Sequence, residues 1–530
     1  MAWNEDRSRR RVAAHDSSTF EVRVSDLCRD MDFENLGSQE VKRVHGAHIY
    51  ADVPNFHLAV EDAGGDKEEQ KKLLRAASVL RRVQGQLLGD NDVKLIQHQA
   101  ARLHGLNFKP YSHEDKEDNE GRRAERAKRS VILAITLNSY LYDVFNGVFQ
   151  DVRNFQGSVG VASGVSYVGN IGLHGERERI SLGTCANLGA KVLGGHDTIT
   201  ITEDVHDDLP NNLKELFSKH GEIAGVGTYR AKGARWGRYP ELREELGVEF
   251  DAEALKKTTE GHKADLPLAE MDVIEPLALI VPTVLTERNN RRTQAIAIFA
   301  DIDGFTKHVQ DAEDNEDVES LIRQLRMIRR EFHKVIADDY EGLVVQHQGD
   351  RTLALVHTPT GDEGHGKRCQ TAVDVAIGIQ SSMDHVLNER LGDEVKDLRV
   401  AIGLDVGKAL VTRLGKRGEK TVVFLGPEVE AAEDLQLRSG GQQIRISRAI
   451  HDALPDGLIK GGFGKDGKGA YVSCKLTFPE LDRLEEEEAA NADRMGVIVN
   501  EGRFSIIAVK SPEVRPVGAS KPWSAGNPSE

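Results

Sequence analysis

Cysteine is scarce in this chain: four in 530 residues, Cys28, Cys185, Cys369 and Cys474, none in a CxxC spacing. Such sparse thiols argue against a disulfide framework or a cysteine zinc site and fit a reducing cytoplasm, the expected location. Long apolar runs are missing too. None approaches the ~20 residues that a membrane crossing needs, so no membrane partner is expected. The basic start, MAWNEDRSRRR, is followed by no apolar stretch, so no secretory leader is expected. Positive charge is in the minority: 70 Lys and Arg stand against 86 Asp and Glu, a net charge of −16. Broad nucleic-acid binding draws on basic surface and is not expected, although one small anion in a local basic pocket is compatible with this balance. What is present, 39% hydrophobic and 29% charged residues over more than one ordinary domain length, describes a globular protein with a sizeable core.

The chain also repeats itself. Residues 45–108 align with 294–357 without a gap at an offset of 301 − 52 = 249, placing YADVPNF on FADIDGF and IQHQAARLHGL on VQHQGDRTLAL. A second block aligns at 407 − 164 = 243, placing GVSYVGNIGLHGERERISLGTCANLGAK on GKALVTRLGKRGEKTVVFLGPEVEAAED. Periodicity gives both copies one order: strand, helix, hairpin, helix, strand with a glycine-rich turn, then strand and helix. The expectation is an α+β chain of two ferredoxin-like βαββαβ domains, each an antiparallel sheet with helices on one face. The expected boundaries are 40–240 for the first domain, 241–292 for a connector, 293–510 for the second domain and 511–530 for a disordered tail. The charged stretches 111–129 and 484–494 read as solvated faces or loops.

In AIFADIDGFT, residues 297–306, a run of strand formers ends in two aspartates and a glycine. Asp301 closes that strand, and Asp350 sits in a hairpin turn 350 − 301 = 49 residues on. Two carboxylates at neighbouring strand ends suit a hard divalent cation, with a phosphate supplying further oxygens. Gly304 lets the backbone N–H groups of the turn approach that phosphate. The plain alternative is that these are turn residues only. The repeat favours the metal site. The first half keeps Asp52 but has Ala101 in place of Asp350, and Pro54-Asn55 in place of Asp303-Gly304. Conversely, it carries Asn187 and Lys191 one helical turn apart, where the second half has Glu430 and Asp434, which would repel a triphosphate. Each half lacks what the other retains, as expected if they pair head to tail around one surviving composite site.

FADIDGFT, the hairpin QGD, SGVSYVGNIG and LGTCANLGAK together resemble the class III nucleotidyl cyclases, over roughly 45–235 and 294–510. The resemblance implies that Asp301 and Asp350, helped by the Ile302 carbonyl, hold two ions, Mn²⁺ or Mg²⁺. It implies that Gly304, Phe305 and Thr306 border the nucleoside triphosphate, that Asn187 orients its ribose, and that Lys232, in RAKGARWG, anchors its terminal phosphates. Lys191 stands where the family has Arg, so the charge is kept and the bidentate fork lost. At the positions that read the base in adenylate and guanylate cyclases stand Gln97 and Ile180, and neither purine code is present. This pattern is similar to the pyrimidine cyclases of bacterial antiphage (Pycsar) systems. It implies conversion of UTP, with CTP second, to a cyclic nucleotide read by a separate effector protein. An adenylate cyclase and an inactive nucleotide-binding regulator remain open. So does pairing of the halves within one chain or between two chains of a homodimer.

Overall fold

The computed structural model describes residues 2–18, 21–37, 39–99, 101–111, 119–171, 178–359, 364–392, 395–415 and 420–495. The tail expected from residue 511 and the end of the second domain lie outside the described residues.

The first half opens with α1 (Glu5–Ser18), followed by β1 (Arg23–Asp26) and β2 (Glu40–Asp52). Two helices, α2 (Phe56–Ala63) and α3 (Lys67–Asp90), lead to the hairpin β3 (Lys94–Gln99)–β4 (Arg102–Asn107). Then come α4 (Glu120–Ser139), β5 (Ser158–Ile171), β6 (Glu178–Leu182), α5 (Thr184–Lys191), β7 (Thr198–Thr202), β8 (Ser218–Ile223) and β9 (Val226–Lys232). The second half repeats this order. α6 (Ala252–Ala264), β10 (Asp272–Ile274), β11 (Asn289–Asp303), α7 (Phe305–Asp314) and α8 (Val318–Lys334) precede the hairpin β12 (Leu343–Gln348)–β13 (Arg351–Thr358). They are followed by α9 (His365–Ser382), β14 (Arg399–Leu414), β15 (Thr421–Leu425), α10 (Pro427–Leu437), β16 (Gln443–Ile446), β17 (Gly464–Lys465), β18 (Tyr471–Cys474) and α11 (Phe478–Met495).

Local signals explain these elements. Asp66 caps α3 by accepting from the Glu68 and Glu69 amides. In α8, Leu321, Ile322, Leu325, Ile328 and Phe332 recur at helical spacing and are buried. The two sheets run β3-β4-β2-β5-β7-β9-β8 and β12-β13-β11-β14-β16-β18-β17. The first four strands of each order are the ferredoxin-like core. Two features differ from expectation. The sheets are mixed, because β5–β7 and β14–β16 pair in parallel. Helices also occupy both faces: Ala47, Ile49 and Ala51 of β2 join the core under α3 and α4, whereas Tyr50 on the other face meets α5. Gly160 and its counterpart Gly403 permit that second layer, since a Cβ would lie 2.5 Å from the Gly189 carbonyl or 2.2 Å from the Ala432 carbonyl.

The segment expected as a connector holds α6 and β10, which repeat α1 and β1. Both arms cross over. The α1 arm packs on the second half, where Arg11 pairs with Glu331, the Trp3 indole donates to Ser382 at 2.8 Å, and its ring stacks on Phe478. The α6 arm packs on the first, where Lys263 donates to the Val148 carbonyl at 2.7 Å. Strand edges are exchanged as well. Ile171, Ile180 and Leu182 enter the second core, and Leu410, Val423 and Leu425 enter the first. The halves therefore pair within one chain. Of the charged stretch 111–129, read as a solvated face or loop, residues from Glu120 onward form the first turns of α4, capped by Asn119 and largely exposed as far as Glu125. The helix from Glu120 to Val148 is long and apolar enough to cross a membrane by length and composition, but 67% of its apolar window is buried inside the protein. The run 484–494 is part of α11.

Candidate active site

Strand β11 carries Asp301 out at its C-terminal end, and the β12–β13 hairpin delivers Asp350 through a two-residue turn. Gly349, at φ 67°, takes the left-handed conformation that such a turn requires. Asp350 is pushed up to about 8, first by burial and then by the Asp301 carboxylate, while Arg351 and Arg329 act against the rise. Two carboxylates crowded in this way are short of positive charge, and a divalent cation supplies it. Among the described residues no three His, Cys, Asp or Glu side chains gather as a metal site. Asp301, Asp350 and the Ile302 carbonyl would therefore hold an ion whose remaining ligands come from phosphate oxygens, which fits Mg²⁺ or Mn²⁺. The second carboxylate of the motif serves the fold instead. Asp303 accepts from the Gly441 amide at 2.9 Å and secures the turn before β16.

Around Asp301 lies a polar cluster. Gln436 donates to it at 3.0 Å, and Arg351 stands 3.7 Å away while pairing with Glu433. Beyond Asp301 the chain turns at Gly304, which is left-handed at φ 89° and precedes α7. Phe305 anchors this helix in the second core, as does Ile302 on the strand side. Thr306 is exposed on the first turn.

The first half meets this region through α5, which packs against α7. Thr184 donates to Glu313 at 2.8 Å at that contact. Asn187 and Lys191 follow one and two turns along α5, both partly exposed. Gln97 and Ile180 lie at the boundary between the halves. Gln97 donates to the His347 carbonyl at 2.6 Å and accepts from Gln99. Its counterpart Gln346 donates to the His98 carbonyl at 2.7 Å, so the two bonds form a reciprocal pair across a pseudo-twofold. The acceptors are main-chain oxygens, so the pair accounts for the repeated glutamines and not for the imidazoles. Ile180 is buried in the second core. Lys232 is exposed at the end of β9, in the sheet row that runs through Thr198 and Ser158 to Asp52.

The other cleft of the pseudo-dimer is a cavity of about 140 Å³ lined by Asp52, His57, Ala101, Phe299, Gln346 and Glu430, among others. Its chemistry has changed. Asp52 is tied to Arg102 at 2.9 Å, and His57 pairs with Glu430 at 2.7 Å. Burial works against the His57 charge, but Glu430 outweighs it and raises the imidazole. An ion pair thus stands where the other cleft has Asn187 and Thr306 at the matching positions.

Residue types alone did not single out Arg351, Glu433 and Gln436. Arg351 repeats as Arg102 in the aligned hairpins, and that identity was the available signal.

Residues 288–471 match the family described as Adenylate and Guanylate cyclase catalytic domain. The chain is 28% identical to a uridylate cyclase of Pseudomonas aeruginosa, over 98% of each chain. It is 25% identical to a uridylate cyclase of a Rhizobium species, over 85% of this chain and 86% of the other. Among solved structures, a class III adenylyl cyclase-like ATP-binding protein from Pseudomonas aeruginosa superimposes with a TM-score of 0.76 at 25% identity, over 91% of this chain and 99% of its own.

Proposed function

We propose that this chain, a tandem class III nucleotidyl cyclase, converts UTP to 3′,5′-cyclic UMP and pyrophosphate at one composite site between its halves. The observation that carries the reading is that the β11–β13 register and the β12–β13 turn bring Asp301 and Asp350 to adjoining strand ends, on the half whose α7 receives α5 of its sibling. Similarity to a uridylate cyclase along both whole chains supports the pyrimidine substrate.

In the reaction the ribose 3′-oxygen forms a bond to the α-phosphorus as the bond to the β-phosphate oxygen breaks. The hydroxyl proton passes to solvent, and pyrophosphate leaves with the displaced charge. Divalent cations, when held by Asp301, Asp350 and the Ile302 carbonyl, lower the pKa of the hydroxyl and neutralise phosphate charge. Asn187 orients the ribose, and Lys191 offers positive charge to the α-phosphate from the same helix. Lys232 attracts the terminal phosphates. Amides of the Gly304–Thr306 turn face the phosphates at the start of α7. Gln97 and Ile180 border the base. CTP is the second substrate in order. The product serves as an antiphage second messenger for a separate effector in the cytoplasm.

Incubation with Mn²⁺ and each of the four NTPs, followed by chromatography of the products, tests the proposal. Cyclic UMP as the main product is expected. A cyclic product from ATP alone would favour the second reading, which the ATP-binding structural relative supports. No product from any NTP would favour a nucleotide-binding regulator.

A further inference from the structure

The repeats differ at three positions that the two clefts bring into correspondence. Asp350 corresponds to Ala101, since 350 − 249 = 101. On the helix behind that hairpin, Arg329 corresponds to Leu80, since 329 − 249 = 80. On the strand that reaches over from the other half, Glu178 corresponds to Thr421, since 178 + 243 = 421. A carboxylate, a guanidinium and a second carboxylate at one cleft therefore become alanine, leucine and threonine at the other.

The contacts make these three residues one unit. Arg329, 3% exposed on α8, donates through Nε to the Gly349 carbonyl at 3.0 Å, and its Nη2 donates to the same oxygen. That carbonyl belongs to the left-handed residue immediately before Asp350, so the fork holds the hairpin turn itself. The remaining nitrogen, Nη1, is buried with no hydrogen-bond partner among the described residues. The acids acting on this guanidinium are Glu178, then Asp350; burial nevertheless pulls it down to about 10. Glu178, from β6 of the first half, accepts from the His347 amide at 3.1 Å, three residues before Asp350 on the same hairpin. At the other cleft Leu80 is an ordinary core residue, and Thr421 accepts from Arg81 at 3.1 Å.

We infer that Arg329 and Glu178 form a brace across the two halves that positions Asp350 for cation binding, with Arg329 gripping the hairpin turn and Glu178 tying the hairpin and its guanidinium to the opposite half. Both are positioning residues: they act on the cation through Asp350. Behind the turn that presents alanine the aligned residue is leucine, and the buried guanidinium there, Arg81, comes from the next position and donates to Thr421. The brace also makes the metal site depend on docking of the halves, because one member comes from the half that contributes no metal ligand. The inference rests on Asp350 being a metal ligand, as in the proposed function.

The test is a titration of the full-length protein with Mn²⁺ alone, reading free Mn²⁺ by electron paramagnetic resonance, so that no substrate need be assumed. Arg329→Met should raise the Mn²⁺ dissociation constant about tenfold or more, the range for groups that orient metal ligands. Arg329→Lys should fall between it and wild type, because the charge returns without the fork. Glu178→Gln should weaken binding less than Arg329→Met, and Leu80→Met should leave it unchanged. In turnover, Arg329→Lys should need more Mn²⁺ while approaching the wild-type kcat at saturation, a split that a purely structural role would not produce. Arg329→Lys or folded Arg329→Met binding Mn²⁺ as wild type does would overturn the brace. Unchanged binding in Glu178→Gln would remove its cross-half member. Wild-type protein that takes up no Mn²⁺ would overturn the inference as well. Failure of the cyclase reading is distinguishable, since it shows as Mn²⁺ uptake without cyclic product from any NTP.

Discussion

Replacing Asp350 by asparagine should stabilise the metal-free protein while abolishing its activity. Burial and Asp301 raise this carboxyl from 3.8 to about 8, so the folded protein without metal retains a proton that the unfolded chain has released. The folded value lies above the unfolded one. The corresponding contribution to stability is therefore fully present below about pH 4 and is lost progressively as the pH rises to about 8. At pH 7 the gap of roughly three units, at about 1.4 kcal/mol per unit, is on the order of 4 kcal/mol. An amide of the same shape carries no such penalty. Asp350→Asn should then melt higher at pH 7 by about 8–16 °C, at ~2–4 °C per kcal/mol for units of this size. Its melting temperature should also lose most of its decline between pH 5 and pH 8. Mn²⁺, which replaces the proton, should raise the wild-type melting temperature increasingly with pH and leave that of the variant unchanged. Calorimetry across this pH range, with and without Mn²⁺, reads all of these effects. A variant that melts lower than wild type, or keeps the wild-type pH slope, would refute the crowded-carboxylate reasoning.

The degenerate cleft predicts the opposite pattern. Asp52→Asn breaks the buried 2.9 Å pair with Arg102 and should cost about 3–5 kcal/mol in unfolding experiments, while turnover stays within a factor of a few. Gln97→Leu and Gln346→Leu each leave a buried histidine carbonyl without its donor and should lower stability by similar amounts, about 1–3 kcal/mol. A change of NTP preference in Gln97→Leu but not in Gln346→Leu would assign base reading to Gln97. Lys191→Ala should reduce kcat by about 10²–10³-fold with intact Mn²⁺ binding, whereas Lys191→Arg should retain activity. Equal activity in the alanine variant would remove Lys191 from the phosphate site.

Most of the core was legible because duplication doubles each local signal. The strand expected over 46–51 and its copy over 295–300 lie within β2 and β11, buried throughout in both. The hairpins align residue for residue, down to the Gln97 and Gln346 that bond reciprocally. What periodicity could not reveal was set by distance along the chain. That α5 lies on the opposite sheet face from α3 and α4, and α10 from α8 and α9, follows from close approach at Gly160 and Gly403, and nothing in helices of eight and eleven residues announces it. The crossed arms are equally silent, since Trp3 finds Ser382 and Phe478 only after the halves have docked. Arg329 escaped for a related reason: in IRREFHK it reads as one more solvated charge, and it is 3% exposed because the hairpin turn closes over it. A comparison with Leu80 at the repeat position was the one sequence signal available.

Pairing within one chain has a kinetic consequence that a homodimer would not share. Each cleft draws on both repeats, so the alanine at Asp350's counterpart, Ala101, alters one cleft and leaves the other its paired carboxylates. The covalent link holds the partners at an effective concentration on the order of millimolar, far above any assay concentration. Reciprocal bonds such as Gln97 to His347 and Gln346 to His98 then form without a second-order encounter. Specific activity should therefore stay constant as the protein is diluted from micromolar to nanomolar at saturating Mn²⁺ and substrate. A fall in specific activity with dilution, accompanied by a dimer-to-monomer shift in light scattering, would show that the working site spans two chains, and that the pairing seen within one chain is not the catalytic one.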